Sequence, residues 1–280
     1  MMKETWLKHL LELEQLIKTV ILGLIQGFTE WLPISSTGHL KVAERFLQFS
    51  SPRDSLVLDF VLHIGTLVVV MFFFRREIKE ILRALVRLDF KTENGKLVPL
   101  IVIGTIPAIT VGLLLEKTAE EQIAQNFTLI GMAFVLCGVI LYFSKMGTDK
   151  KDEIDFSTAI MVGIAEGIAI IPGLSRSGLT IAAALLLGLK REKAFKFSFL
   201  LSIPAVIGAI SYTFYTEHDA LASSGLGLTE ILVGVIVAMF AGYFALKILW
   251  KTLAVKKFHF FAFYCWLMGV IIIAFGLSGF

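Results

Sequence analysis

Residues 97–115 and 127–143 contain no charged side chain, and the first run is interrupted only by Gly, Thr and Pro. Such runs approach the ~20 consecutive apolar residues that a helix needs to cross a bilayer. The rest of the 280-residue chain agrees. It is 56% hydrophobic and 18% charged, with a mean hydropathy of +0.81, whereas a soluble domain has about 45–50% apolar and about 25% charged residues. A β-barrel is excluded, because barrel strands are short and alternate in polarity. Disorder, a collagen-like chain and a disulfide scaffold are excluded by the same composition. Cys137 and Cys265 both lie inside apolar runs, in no disulfide or metal-ligand spacing, and read as buried free thiols. A net charge of +3 does not point to nucleic acid; in a membrane protein a mild basic excess marks cytoplasmic loops. The expectation is an all-α polytopic protein of the cell membrane, with the bilayer as its surroundings.

The chain repeats itself at an offset of about 130–140 residues. Gly23-Leu24-Ile25-Gln26-Gly27 returns as Gly163-Ile164-Ala165-Glu166-Gly167, and Pro33 as Pro172. Ser35-Ser36-Thr37-Gly38 returns as Ser175-Arg176-Ser177-Gly178, Leu62-His63-Ile64 as Leu201-Ser202-Ile203, Gly104 to Gly112 as Gly234 to Gly242, and Gly138 as Gly269. Matches in the same order imply a duplication. The halves are residues 16–145 and 155–280, joined by a charged linker, with residues 1–15 an amphipathic surface segment rather than a signal peptide.

Each half opens with two short apolar stretches around a proline and a Ser/Gly cluster, at 17–49 and 157–189. Fifteen helical residues reach about 22 Å, short of the roughly 30 Å hydrocarbon core. Each pair is therefore expected to enter and leave on one side, as a re-entrant hairpin. Three spans follow in each half, near 57–74, 97–115 and 127–144, and near 196–215, 228–248 and 259–278. An odd number of spans turns the second half upside down. Eighteen of the 26 Lys and Arg fall in residues 75–96, 145–156, 190–196 and 247–257, and seven on the other side. The basic side is cytoplasmic by the positive-inside rule, so both termini are expected outside, with the hairpin tips meeting near the midplane.

Four ionisable residues fall toward the hairpin tips: Glu30, His39, Glu166 and Arg176. Charge inside the membrane is expensive and faces a partner or a wet cavity. Gln26 and Glu30 share one helix face, an oxygen pair suited to Mg²⁺ or Ca²⁺. Ser35-Ser36-Thr37-Gly38-His39 opens a helix whose N-terminal N–H groups favour an anion. Ser36, with His39 one turn on, forms a candidate nucleophile and base; water activated by His39 or Glu30 is the competing mechanism. Pro172-Gly173-Leu174-Ser175-Arg176-Ser177-Gly178-Leu179-Thr180 joins three hydroxyls to an Arg, whose planar fork matches phosphate oxygens. Ser35, Thr37, Ser175, Ser177, Gly178 and Thr180 are the candidate phosphate-binding residues. Glu166 holds either a hydrogen bond or ion pair, or a metal, and His63, within a full span, reads as structural.

Residues 26–39, with their (E/Q)xxxE and SSTGH pattern, and residues 172–180, with PGxSRSxxT, resemble the undecaprenyl pyrophosphate phosphatases, the bacitracin-resistance family. The resemblance extends over nearly the whole chain. It implies hydrolysis of a C55 polyprenyl diphosphate lipid to the monophosphate, which recycles the carrier of cell-wall glycans. It also implies a divalent-cation cofactor and a site reached from the outer face. Carried to matching positions, it makes Glu30, His39 and Arg176 the catalytic set; Gln26 stands where many members have Glu. A homodimer is compatible with such a chain. The rival reading from another class is an inverted-repeat transporter or flippase for a lipid phosphate or small anion.

Overall fold

The computed structural model describes residues 2–49, 51–223 and 225–278. The fold is all α: α1 (Met2–Trp31), α2 (Ser36–Leu47), α3 (Pro52–Phe73), α4 (Arg75–Arg87), α5 (Leu97–Thr118), α6 (Phe127–Phe143), α7 (Phe156–Ile168), α8 (Arg176–Leu186), α9 (Arg191–Thr216), α10 (His218–Ala222), α11 (Leu228–Ala254) and α12 (Phe261–Leu277). Among the described residues, six helical segments are long and apolar enough to cross a membrane: Pro52–Phe73, Leu97–Ile123, Phe127–Met146, Arg191–Thr216, Leu228–Ala254 and Phe258–Leu277. At 1.5 Å per residue their 20 to 27 residues reach about 30–40 Å, enough for the hydrocarbon core.

Local chemistry sets the helix ends. Ser51 caps α3 through the Asp54 N–H, with Pro52 in the first turn, where its missing donor costs nothing. Asn126 caps α6 and Asp155 caps α7 in the same way. Pro107 and Pro204 lie inside α5 and α9, which membrane helices tolerate when neighbours satisfy the freed carbonyls.

Two elements differ from the sequence reading. The segment 1–15 is not a separate element but runs into α1, since no Gly or Pro interrupts the chain before Gly23. Of that segment, Met1 and the side chains of Lys3, Glu4 and Lys8 lie outside the described residues. The stretch 75–96, read only as a basic loop, contains α4. Its apolar residues recur at helical spacing (Ile78, Ile81, Leu82, Leu85), yet only Ala84 is buried, the pattern of a helix lying in the membrane–water interface.

Small residues bring the spans together. Without a hydrophobic driving force in lipid, helix contact relies on close backbone approach. A Cβ placed on Gly23 would meet the Gly234 carbonyl at 2.8 Å, so α1 lies against α11. One on Gly167 would meet the Ala108 carbonyl at 2.7 Å, so α7 lies against α5. Gly131 and Gly269 set α6 on α12 in the same manner. The tips of the α1–α2 and α7–α8 pairs meet within this frame.

Candidate active site

Both helix pairs break at a proline and resume at a serine cap. After α1 the chain leaves helix at Leu32, Pro33 and Ile34, and Ser35 caps α2 with φ of 66°. A left-handed non-glycine residue is uncommon and marks a constrained site. Here the constraint is visible: Ser35 Oγ accepts the Gly38 N–H at 3.4 Å and the Gly173 N–H, from the other pair, at 3.0 Å. Ser175 caps α8 by accepting the Gly178 N–H at 3.1 Å. The Ser175 and Ser177 hydroxyls lie 3.4 and 3.3 Å from the Leu32 carbonyl, to which they donate. Cys265 Sγ lies 3.5 Å from the Pro33 carbonyl. Each tip thus satisfies the other's broken backbone.

Glu30, in the last turn of α1, is the centre of the site and only 7% exposed. Its Oε2 accepts the Ser36 hydroxyl at 2.5 Å and the Gln26 amide at 3.2 Å, and lies 3.6 Å from His63 Nε2. Its Oε1 faces Arg176 Nη2 at 3.4 Å. Four side chains from three elements of one half and one of the other converge on a single carboxylate. Arg176 keeps Nη1 buried and without a hydrogen-bond partner.

The structure does not bring Ser36 and His39 together as a dyad. His39 Nδ1 donates to the Ser35 carbonyl at 2.7 Å, which fixes the tautomer, so Nε2 accepts the Tyr264 hydroxyl at 2.7 Å. Ser36 is committed to Glu30 instead. Of the other residues singled out for phosphate, Thr37 lies 3.5 Å from Ser35 Oγ. The Gly178 N–H is taken by Ser175 and the Ser177 hydroxyl by Leu32. Thr180 donates to the Arg176 carbonyl at 2.7 Å and bonds to the Ser198 hydroxyl, so its oxygen serves the packing of α8 on α9.

The expected divalent-cation site is corrected. No group of three His, Cys, Asp or Glu able to hold a metal gathers among the described residues. Both Glu30 oxygens are also engaged, by the Gln26 amide N–H, the Ser36 hydroxyl, His63 and Arg176.

Two residues gain a place that sequence spacing did not give them. His63 joins Glu30 from α3, with its Nδ1 donating to the Asp59 carbonyl at 2.7 Å. Tyr264, from α12, holds His39; nothing in its sequence surroundings signals this. Glu166 is 6% exposed and within electrostatic reach of Arg176, yet neither carboxylate oxygen has a hydrogen-bond partner.

Comparison with known proteins places this chain in a family. The model of the bacitracin resistance protein BacA matches residues 19–271. An undecaprenyl-diphosphatase of Carboxydothermus hydrogenoformans is 40% identical over 267 residues, 94% of this chain and 98% of the relative. One of Halothermothrix orenii is 39% identical over 264 residues, 92% and 97% of the two chains. Undecaprenyl-diphosphatase 4 of Bacillus thuringiensis is 40% identical over 260 residues, 92% and 96%. With a family model spanning both helix pairs and relatives matched over almost their full length, the chain belongs to the BacA family of bacitracin resistance proteins.

Proposed function

We propose that this protein is an integral membrane phosphatase that hydrolyses a polyprenyl diphosphate, such as undecaprenyl diphosphate, to the monophosphate and inorganic phosphate. The monophosphate is the form in which a carrier lipid for cell-wall glycans is used again. The observation that carries the reading is the Glu30 carboxylate, with one oxygen 2.5 Å from the Ser36 hydroxyl and the other facing Arg176. A hydroxyl on a buried carboxylate is a nucleophile beside its base, and a guanidinium with a free N–H is a phosphate anchor.

The chemistry follows from that arrangement. The terminal phosphate lies against Arg176, whose Nη1 takes an oxygen and stabilises charge developing on it. Ser36 Oγ attacks the terminal phosphorus and gives its proton to Glu30. The bond from phosphorus to the bridging oxygen breaks, and the polyprenyl monophosphate departs. Water then attacks the phosphoserine. The Oγ–phosphorus bond breaks, Ser36 recovers its proton from Glu30, and both hydrogens of water leave on inorganic phosphate. His39 is held between Ser35 and Tyr264, and braces the start of α2.

We also read the chain as two inverted repeats, each a re-entrant pair (α1–α2, α7–α8) followed by three spans. The glycine contacts support this. Gly23 and Gly27 of one half abut Gly234 and Gly242 of the other, while their counterparts Gly163 and Gly167 abut Gly104 and Gly112. That is the exchange a two-fold axis in the membrane plane produces. In this reading both termini and the mouth of the site face outward.

Phosphate release from a long-chain polyprenyl diphosphate by purified protein in detergent tests the function. Wild type is expected to release phosphate, Arg176→Ala to release none while remaining monodisperse, and Ser36→Ala to form no phosphoenzyme. A transporter gives no release where no compartments exist, and that result overturns the reading.

A further inference from the structure

Where α3 ends, an open groove of about 520 Å³ runs from its last turn onto α4. Met71, Ile78, Leu82 and Val86 form an apolar row along it. Arg75, Lys79, Arg83 and Arg87 recur every four residues beside that row. No residue of the Glu30 cluster lines it. We propose that this groove binds an anionic phospholipid of the surrounding leaflet, with its phosphate on the cations and an acyl chain along the apolar row. The proposal needs the chain in a membrane and is independent of the phosphatase reading.

Three observations commit the groove to that occupant. The first is charge that the chain leaves without a partner. Helix α4 carries five cations and two acids. Among the described residues, none of Arg75, Lys79, Arg83 and Arg87 makes an ion pair. Arg75 gives one N–H to the Phe72 carbonyl at 3.0 Å, and all four side chains are exposed. Glu80 stands one turn from both Arg76 and Arg83, yet it accepts the Asn94 amide instead. Like charges four residues apart destabilise a helix, and this row repeats that spacing three times. An anion from outside the chain supplies the counter-charge. The second observation is depth. Met71 belongs to the apolar span Pro52–Phe73, and the cations follow it on the interfacial helix. One groove thus leads from hydrocarbon into the headgroup layer, as a phospholipid does and a soluble anion does not. The third is the apolar row. Ala84 is buried and Ile81 packs against the core, so α4 is already seated, yet Leu82 is exposed and Val86 is 84% exposed. A free phosphate or a nucleic acid leaves that row uncovered, whereas an acyl chain lies along it.

The experiment titrates purified protein in detergent with phosphatidylglycerol and with phosphatidylcholine of the same acyl chains, and counts bound lipid by native mass spectrometry. Each cation near an anionic membrane surface strengthens binding roughly fivefold. Wild type is therefore expected to prefer phosphatidylglycerol by about tenfold or more, and by less as salt is raised. In the triple variant Lys79→Gln, Arg83→Gln and Arg87→Gln, which keeps good helix formers, the preference is expected to disappear. Lys150→Gln, Lys251→Gln and Lys257→Gln together remove the same charge from exposed positions elsewhere and keep it. Equal binding of the two lipids by wild type, or an unchanged preference in the groove variant, overturns the proposal. Glycerol 3-phosphate, a headgroup without chains, is expected not to compete. Competition by it defeats the lipid occupant and leaves a plain anion site. A polyprenyl monophosphate is expected not to displace phosphatidylglycerol; displacement would make the groove part of the substrate's path and end its standing as a separate site. A phosphatidylglycerol with a photoreactive group on its acyl chain tests the unsubstituted protein. Labelling is expected within residues 71–87, and labelling confined to other helices rules the groove out.

Discussion

The two helix pairs carry the same kind of tip and opposite kinds of carboxylate. Glu30 in the first accepts from Ser36 and Gln26 and is flanked by His63 and Arg176. Glu166 in the second is equally buried and has no hydrogen bond at all. A buried ionised group is stable only when paired and hydrogen-bonded. The first pair is thus built to hold a negative charge, and the second contributes the cation that faces it. Duplication supplied two similar frames whose polar residues then diverged. Gln26 and Ser36 serve Glu30; at their matching positions the second half has Glu166 itself and Arg176.

The contrast can be broken most severely at Glu30. Glu30→Gln removes the base from Ser36 and the counter-charge from Arg176, and kcat for phosphate release is expected to fall 10²–10⁴-fold, the range for a lost general base. A steady-state assay on protein that elutes as wild type checks it. Next comes Gly23→Leu, which forces α1 off Gly234 and carries Glu30 with it. Activity and thermal stability are expected to fall together, and overpacking of this kind costs about 1–3 kcal/mol. Glu166→Gln keeps the shape and removes no hydrogen bond, so its kcat is expected within tenfold of wild type and its melting temperature no lower. A loss as deep as that of Glu30→Gln would mean that the second carboxylate shares the chemistry. The smallest effect belongs to Asp155, the cap of α7 outside the apolar helix. Hydrogen bonds from Lys151 and from Thr158 hold its carboxyl well below the usual carboxylate range. A lowered folded-state value stabilises the fold fully above that range, and the contribution is lost as pH falls through and below it. Asp155→Ala is expected to cost about 1 kcal/mol, the usual worth of an N-cap, and to flatten the acid limb of a melting-temperature series.

Much of the frame was legible because apolar runs and prolines are local signals. The uncharged stretches gave the spans, and Pro33 and Pro172 marked both tips. The partners of Glu30 were legible only in part. Gln26 and Ser36 are close in sequence, and Arg176 stood out by its cost in a membrane. His63 did not, since a lone histidine in an apolar span has no periodicity that tells a ligand from a packing residue. Tyr264 lies 225 residues from His39, and no local pattern spans that distance. The cation site failed for a related reason: spacing puts Gln26 and Glu30 on one face, but does not say that the amide N–H turns inward. Helix α4 was missed because charge was counted there and the recurrence of Ile78, Ile81, Leu82 and Leu85 was not.

The seating of α1 on α11 has a consequence for how the protein is made. Chains emerge from the N-terminus, so α7 finds α5 already in the membrane. Helix α1 waits through some 200 residues of synthesis for the surface that receives Gly23 and Gly27. Until α8 arrives, Glu30 has Gln26, Ser36 and His63 but not its arginine. A ribosome stalled before α8 therefore holds a nascent chain whose first acid is only partly sheltered, and one stalled after α9 still leaves the first helix without the surface that seats it.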